Sequence, residues 1–292
     1  MNATSAPAPH RIATASGLEL VADRYGSWTE RPPVLLLHGG GQTRHSWGGT
    51  AEHLAVRGYE AWTLDLRGHG DSGWSPDGDY TIEAMVEDLD AVCAEIGRAP
   101  VLVGASMGGI VGLVSEGSLR PGRMRALVLV DIATQMEEQG VDRIVSFMSA
   151  APEGFASLDD AADAIETYRP NRPRPSSLEG LKKNLRRGED GRWRWHWDPA
   201  FLSGKSRDER RDPGALGDAA RSVRVPTLLV RGRMSDMLSL QGVEIFRQQC
   251  PHARFVDIAD AGHMVVGDRN DAFTDAVVEF MDDLVEDEEM AG

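Results

Sequence analysis

Gly104-Ala105-Ser106-Met107-Gly108 sets a serine at the join of two patterns: PVLVGAS reads as a strand and MGGIVGL as a helix. The glycines at 104 and 108 permit a turn tight enough to lift the Ser106 hydroxyl clear of the backbone. The free N–H groups of the following helix then point near the reacting centre. A serine hydroxyl is too weakly acidic to attack a carbonyl alone. It needs a base, and the base needs a carboxylate to hold its tautomer and stabilise the imidazolium. With a strand-to-helix serine of this kind the chain order is Ser, then Asp or Glu, then His.

Two downstream stretches fit that order. TLLVRG ends in Arg231-Gly232-Arg233-Met234-Ser235-Asp236, and ARFVDI runs into Ala259-Asp260-Ala261-Gly262-His263. Both lie just past the C-terminal ends of strands, where an open parallel sheet forms its ligand crevice. Asp236 and His263 are therefore the expected acid and base. Asp131, in LVLVDIA, also follows a strand end and is the rival acid for the same histidine. His38, His69 and His196 could approach the site, but each has a better structural reading, and none has the strand-end, glycine-preceded setting of His263.

An oxyanion formed during acyl transfer needs at least two preorganised donors. The expected pair is the backbone N–H of Met107 and that of Gly40, in the loop His38-Gly39-Gly40-Gly41, with Gly41 as the neighbour able to replace Gly40. The loop lacks the Lys-Ser/Thr pair that a phosphate cradle would carry. No metal-ligand spacing is visible, and this chemistry requires neither metal nor organic cofactor.

The elements that must position these residues follow from the alternation of patterns. RIATA and LELVADRYG read as two strands, PPVLLL as a strand buried on both faces, and EAWTLDL as the next. SWGGTAEHLAVRG reads as a helix ending at Gly58. TIEAMVEDLDAVCAEIG carries Ile82, Met85, Val86, Leu89, Val92, Cys93 and Ile96 on one helical face. RMRALVLVDI follows as a strand. The rhythm breaks from about 133 to 222, where the proline-punctuated connector RPNRPRPSS lies, and resumes with PTLLVRG, SLQGVEIFRQQC, ARFVDI and NDAFTDAVVEFMDDLVED. Strands and helices alternating at this pitch give a mostly parallel sheet with helices on both faces. The interruption reads as a mainly helical insertion over one end of it.

Composition bounds the function classes. The chain has 292 residues, with 31 Lys plus Arg against 46 Asp plus Glu, a formal charge of −15. Such a field opposes a phosphate backbone and argues against nucleic acid as a partner, despite the Arg-rich segment 182–194. The acidic end from Asp282 to Glu289 reads as a solvated helix end and tail. Cys93 and Cys250 form no redox or metal motif and read as reduced thiols. With no secretory pattern at the N-terminus and no apolar run of spanning length, a cytoplasmic protein off the membrane is expected. The expected partner is a small-molecule substrate. No residue pattern speaks for or against a homo-oligomer.

With these motifs assembled, the chain resembles the α/β-hydrolase superfamily. HGGGQTRHSW, DLRGHGDSGW, GASMGG, RGRMSD and AGHM stand in that family's order across about 11–286. Ser106-Met107-Gly108-Gly109 is similar to the elbow of small carboxylesterases, perhydrolases and carbon–carbon bond hydrolases. Haloalkane dehalogenases and epoxide hydrolases carry Asp at that place, so Ser106 speaks against both. The resemblance implies an eight-stranded sheet, a cap inserted after strand six and triad roles for Ser106, Asp236 and His263. The implied division is a flexible tail over 1–10, a core over 11–132 and 223–287, a cap over 133–222 and an acidic tail over 288–292. In DLRGHGDSGW, Asp65, Arg67 and Asp71 are expected to satisfy loop backbone and each other.

The implied activity is hydrolysis of a carboxylic ester, or a similarly activated carbonyl, of a small and largely apolar substrate through an acyl-enzyme. Hydrolysis of a carbon–carbon bond, lactone or amide, and perhydrolysis, would use the same residues. A non-catalytic ligand-binding protein of this fold is the reading from another class. Gly41, Met234, Met237, Trp195 and Trp197 are the expected substrate contacts. In GRWRWHWDPAFL, Trp193, Trp195 and Trp197 alternate with Arg194 and His196, as in an extended segment presenting its tryptophans one way. An anchor fixing cap to core is preferred for them over a wall above Ser106.

Overall fold

Strand alternation decides how the core is divided. A computed structural model of the chain describes residues 8–168, 178–203, 212–268 and 270–291; the connector RPNRPRPSS lies outside them. Its strands are β1 His10–Ala13, β2 Glu19–Tyr25, β3 Val34–Leu37, β4 Ala61–Asp65, β5 Val101–Ala105, β6 Ala126–Val130, β7 Leu185–Arg187, β8 Trp193–Trp195, β9 Thr227–Gly232 and β10 Arg254–Ile258. Eight of them form one sheet in the order β1-β2-β4-β3-β5-β6-β9-β10. β1 and β2 run antiparallel at one edge, and the six strands from β4 to β10 are parallel.

All four residues of β3 are buried, as are all five of β6 and all six of β9. Because side chains alternate across a sheet, each strand feeds two cores. Leu35, Leu37, Leu127 and Leu129 pack on one face, against helices α2 (Ile82–Ile96), α3 (Met107–Val114), α6 (Pro213–Ser222) and α7 (Leu240–Gln249). Val34, Leu36, Val128 and Val130 pack on the other, against α1 (Gly48–Val56), α8 (Val265–Asp268) and α9 (Asn270–Ala291). The expected mostly parallel, eight-stranded α/β architecture with helices on both faces is the observed one. α2 starts where Thr81 accepts the Ala84 N–H and stops at Gly97, left-handed at φ 77°.

Between β6 and β9 the chain leaves the sheet to form α4 (Glu138–Ser149), α5 (Leu158–Tyr168) and the antiparallel hairpin β7–β8. α6 was expected to belong to this insertion. Instead its Leu216, Ala219 and Ala220 are buried in the main core, so the inserted cap ends before it. At the C-terminus, α9 runs on to Ala291 rather than giving way to a tail at 288. Cys93 and Cys250 are free and buried. Among the described residues no helix is long and apolar enough to cross a membrane.

Candidate active site

Ser106 caps the start of α3 in a backbone conformation that L-residues seldom adopt, φ 47° and ψ −113°. Two glycines make it possible. A Cβ on Gly104 would stand 2.5 Å from the Gly108 carbonyl, and one on Gly108 would stand 2.6 Å from Leu37. The turn is held by Ser106 N–H donating to Val130 O at 3.2 Å and Gly108 N–H donating to His38 O at 3.2 Å. Met107 opens α3, so its N–H is among the first-turn donors that no intrahelical carbonyl can engage. The glycine loop closes over this point: a Cβ on Gly39 would lie 3.2 Å from the Ser106 Cβ.

His263 donates from Nδ1 to Asp131 Oδ2 at 2.7 Å. Asp131 is fully buried at the end of β6, again with a positive φ, 51°. Its carboxylate also accepts the Ser235 hydroxyl on Oδ2 at 2.5 Å and the Gly232 N–H on Oδ1 at 3.0 Å. With Nδ1 committed as a donor, Nε2 of the neutral ring is the nitrogen able to accept a proton. Ser106 and His263 line the same cavity without a direct hydrogen bond between them, a frequent state of such pairs before substrate binds.

The expected acid, Asp236, is thereby corrected. It is half exposed and pairs with Arg143 of α4 at 2.6 Å. The loop after β9 turns Ser235 inward and Asp236 outward, so the carboxylate that reaches His263 comes from β6. The carboxylate beside His263 is Asp131, the rival acid in LVLVDIA.

The cavity has a volume of about 420 Å³ and lies between the sheet's C-terminal edge and the cap. Gly40, Gly41, Met107, Met237, Trp195 and Trp197 line it. Met234 does not: it is 66% exposed, on the outer side of the β9 loop. Sequence reasoning missed Phe147, Met148 and Phe201, which roof the glycine loop and chamber from the cap. Helical periodicity marks Phe147 and Met148 as apolar positions of α4 but cannot say which surface they meet.

Gly41 proves less interchangeable with Gly40 than expected, because its N–H donates to His69 Nε2 at 3.2 Å. His38 ties the same loop from beneath: Nδ1 donates to Gly39 O at 2.8 Å, and Nε2 accepts the Leu66 N–H at 3.0 Å. His196 comes from the cap and accepts the Gly70 N–H at 2.7 Å. Burial, with His38 nearby, pushes its pKa down to about 3. Each of these three imidazoles engages backbone groups of the loops around the cavity.

In DLRGHGDSGW, Asp65 is fully buried and accepts the Asp71 N–H, the Arg44 N–H and the Arg44 guanidinium. Arg67 departs from expectation: it pairs with Asp88 of α2, not with Asp65 or Asp71.

Trp195 and Trp197 stack at 4.9 Å with planes 11° apart. Trp197 belongs to the main core, and both rings face the chamber, so anchor and wall are one structure. Trp193 stands apart, beneath Arg187 in a small cap cluster with Phe155 and Leu185. Arg194 reaches out to Asp190, whereas His196, expected on the same side, is buried.

A strained serine between strand and helix, a strand-end histidine and the sheet order together define a class. Residues 32–269 match the model of the alpha/beta hydrolase fold family, and the chain belongs to that family. It is 31% identical to the esterase Rv0045c of Mycobacterium tuberculosis over 84% of this chain and 81% of that one. The solved structure of a Rv0045c esterase superposes with a TM-score of 0.75, covering 96% of this chain and 92% of the other. The 3-hydroxybutyrate-oligomer hydrolase of Cupriavidus necator is 28% identical over 85% of this chain and 88% of its own. The fold is shared with E-2-(acetamidomethylene)succinate hydrolase at a TM-score of 0.83 and 22% identity, covering 94% and 99% of the two chains.

Proposed function

We propose that the protein is a serine esterase using Ser106, His263 and Asp131. His263 Nε2 takes the Ser106 proton as Oγ attacks the ester carbonyl, and Asp131 holds the Nδ1–H and stabilises the imidazolium. The N–H groups of Met107 and Gly40 receive the developing oxyanion. His263 then protonates the leaving alcohol, and a water activated by the same nitrogen releases the acid from the acyl-enzyme. The carrying observation is the Asp131–His263 hydrogen bond at 2.7 Å, with His263 lining one cavity with the strained Ser106. The chamber's apolar walls suit a small apolar ester, and the relatives named as an esterase and an oligomer hydrolase support hydrolysis over mere ligand binding.

Phenyl ester hydrolysis tests the assignment. Ser106→Ala should lower kcat by about 10³-fold or more while leaving the melting temperature within a few degrees. Undiminished turnover in that variant would overturn it.

A further inference from the structure

The cavity's charge is out of keeping with the chain's. Acidic residues outnumber Lys plus Arg by 46 to 31, yet among the described residues no Asp or Glu lines the chamber. Its one lining lysine or arginine among them is Lys183, at the end of the short helical turn Glu179–Lys183 of the cap. The neighbouring Lys182 is paired with Glu179. Among the described residues no ion pair engages Lys183.

Lys183 is exposed, which sets it at the chamber's mouth, and its neighbours there are polar. Asn184 accepts the Thr43 hydroxyl on Oδ1 at 3.2 Å, which leaves its amide hydrogens for another acceptor. His45 belongs to the same lining, its pKa lowered by burial and by the Arg44 charge. Asp23 and Asp65 are buried and paired with Arg44. The rest of the lining is rich in apolar side chains, among them Ile144, Phe147, Trp195 and Met237.

We propose that the mouth of the chamber is an anion subsite, in which Lys183 and the Asn184 amide bind a carboxylate at the far end of an ester whose middle is apolar. An exposed ammonium on an acidic protein attracts a free carboxylate from solution, and no carboxylate among the described lining residues competes for it. The substrate class is thus a half-ester of a dicarboxylic acid, or an ester whose alcohol bears the carboxylate. This rests on the esterase reading of Ser106.

The test compares phenyl hexanoate with monophenyl adipate, equal in chain length and differing by the terminal carboxylate, and with 4-carboxyphenyl hexanoate, which carries the charge on the leaving side. Wild-type protein should favour one of the charged esters in kcat/KM by about three- to ten-fold. Lys183→Gln should bring that ratio to about one, and Lys183→Glu should invert it. Equilibrium binding of the same esters to the Ser106→Ala protein, read by tryptophan fluorescence, separates the two claims. Lys183-dependent binding without wild-type turnover would end the esterase reading and leave the subsite standing. Turnover with no charge preference, or a preference that Lys183→Gln does not alter, would overturn the subsite alone.

Discussion

Asp131 and Asp236 look alike in sequence, each a carboxylate beyond a buried strand, and their environments could hardly differ more. Asp131 is wholly buried and its oxygens accept from His263, Ser235 and the Gly232 N–H; Asp236 sits half exposed on Arg143. Asp131→Asn should therefore lower kcat by about 10³- to 10⁴-fold, because an amide can turn the imidazole to the wrong tautomer. Asp236→Asn breaks only an exposed ion pair, worth about 0–1 kcal/mol, and should leave kcat/KM within about two-fold. Steady-state kinetics of the two variants decide between them; the opposite ranking would restore Asp236. The strand-to-helix turn at Ser106 and the meeting of His263, Met107 and Gly40 around one cavity can be read from motif context alone. The acid was not, because its choice depends on which of Ser235 and Asp236 the loop turns inward, and no periodicity reports that.

At the scale of elements, the tryptophan hairpin joins cap to core. Trp197 is 4% exposed within the main core, and Trp195 stacks on it from β8 while touching Phe147 and Phe155. The adjoining backbone is pinned as well: Asp198 donates its N–H to Gly68 O at 2.8 Å and accepts the Tyr80 hydroxyl. Trp197→Ala should cost about 3–5 kcal/mol in denaturant unfolding and also shift acyl-length preference, since the same ring lines the chamber. An unchanged unfolding midpoint would remove the anchor role. Sheet strands and core helices could be read in sequence because burial on two faces and helical periodicity are local signals. The cap boundary could not: α6 is amphipathic like its cap neighbours, and only packing of Leu216 and Ala219 beneath α3 assigns it to the core.

For the molecule as a whole, the buried imidazoles join the glycine loop, the loop after β4 and the cap, and they make the fold acid-sensitive. His196 has a pKa near 3 when folded against 6.5 in the unfolded chain. Between these values the unfolded chain binds the extra proton. The stability that neutral His196 confers is complete above about pH 6.5 and falls toward pH 3, by up to about 1.4 kcal/mol per pH unit. Burial lowers the pKa of His38 too and adds in the same direction. His196→Asn keeps an acceptor for the Gly70 N–H without the titration, so urea unfolding of that variant should show a shallower loss between pH 6.5 and 4.5. An equal slope would remove His196 from the account. The central claim, an acyl-enzyme on Ser106, is met most directly by covalent trapping. A fluorophosphonate should add once per chain, peptide mass analysis should place it on Ser106, and Ser106→Ala should take up none. An unlabelled wild-type protein, or an adduct elsewhere that survives Ser106→Ala, would contradict it.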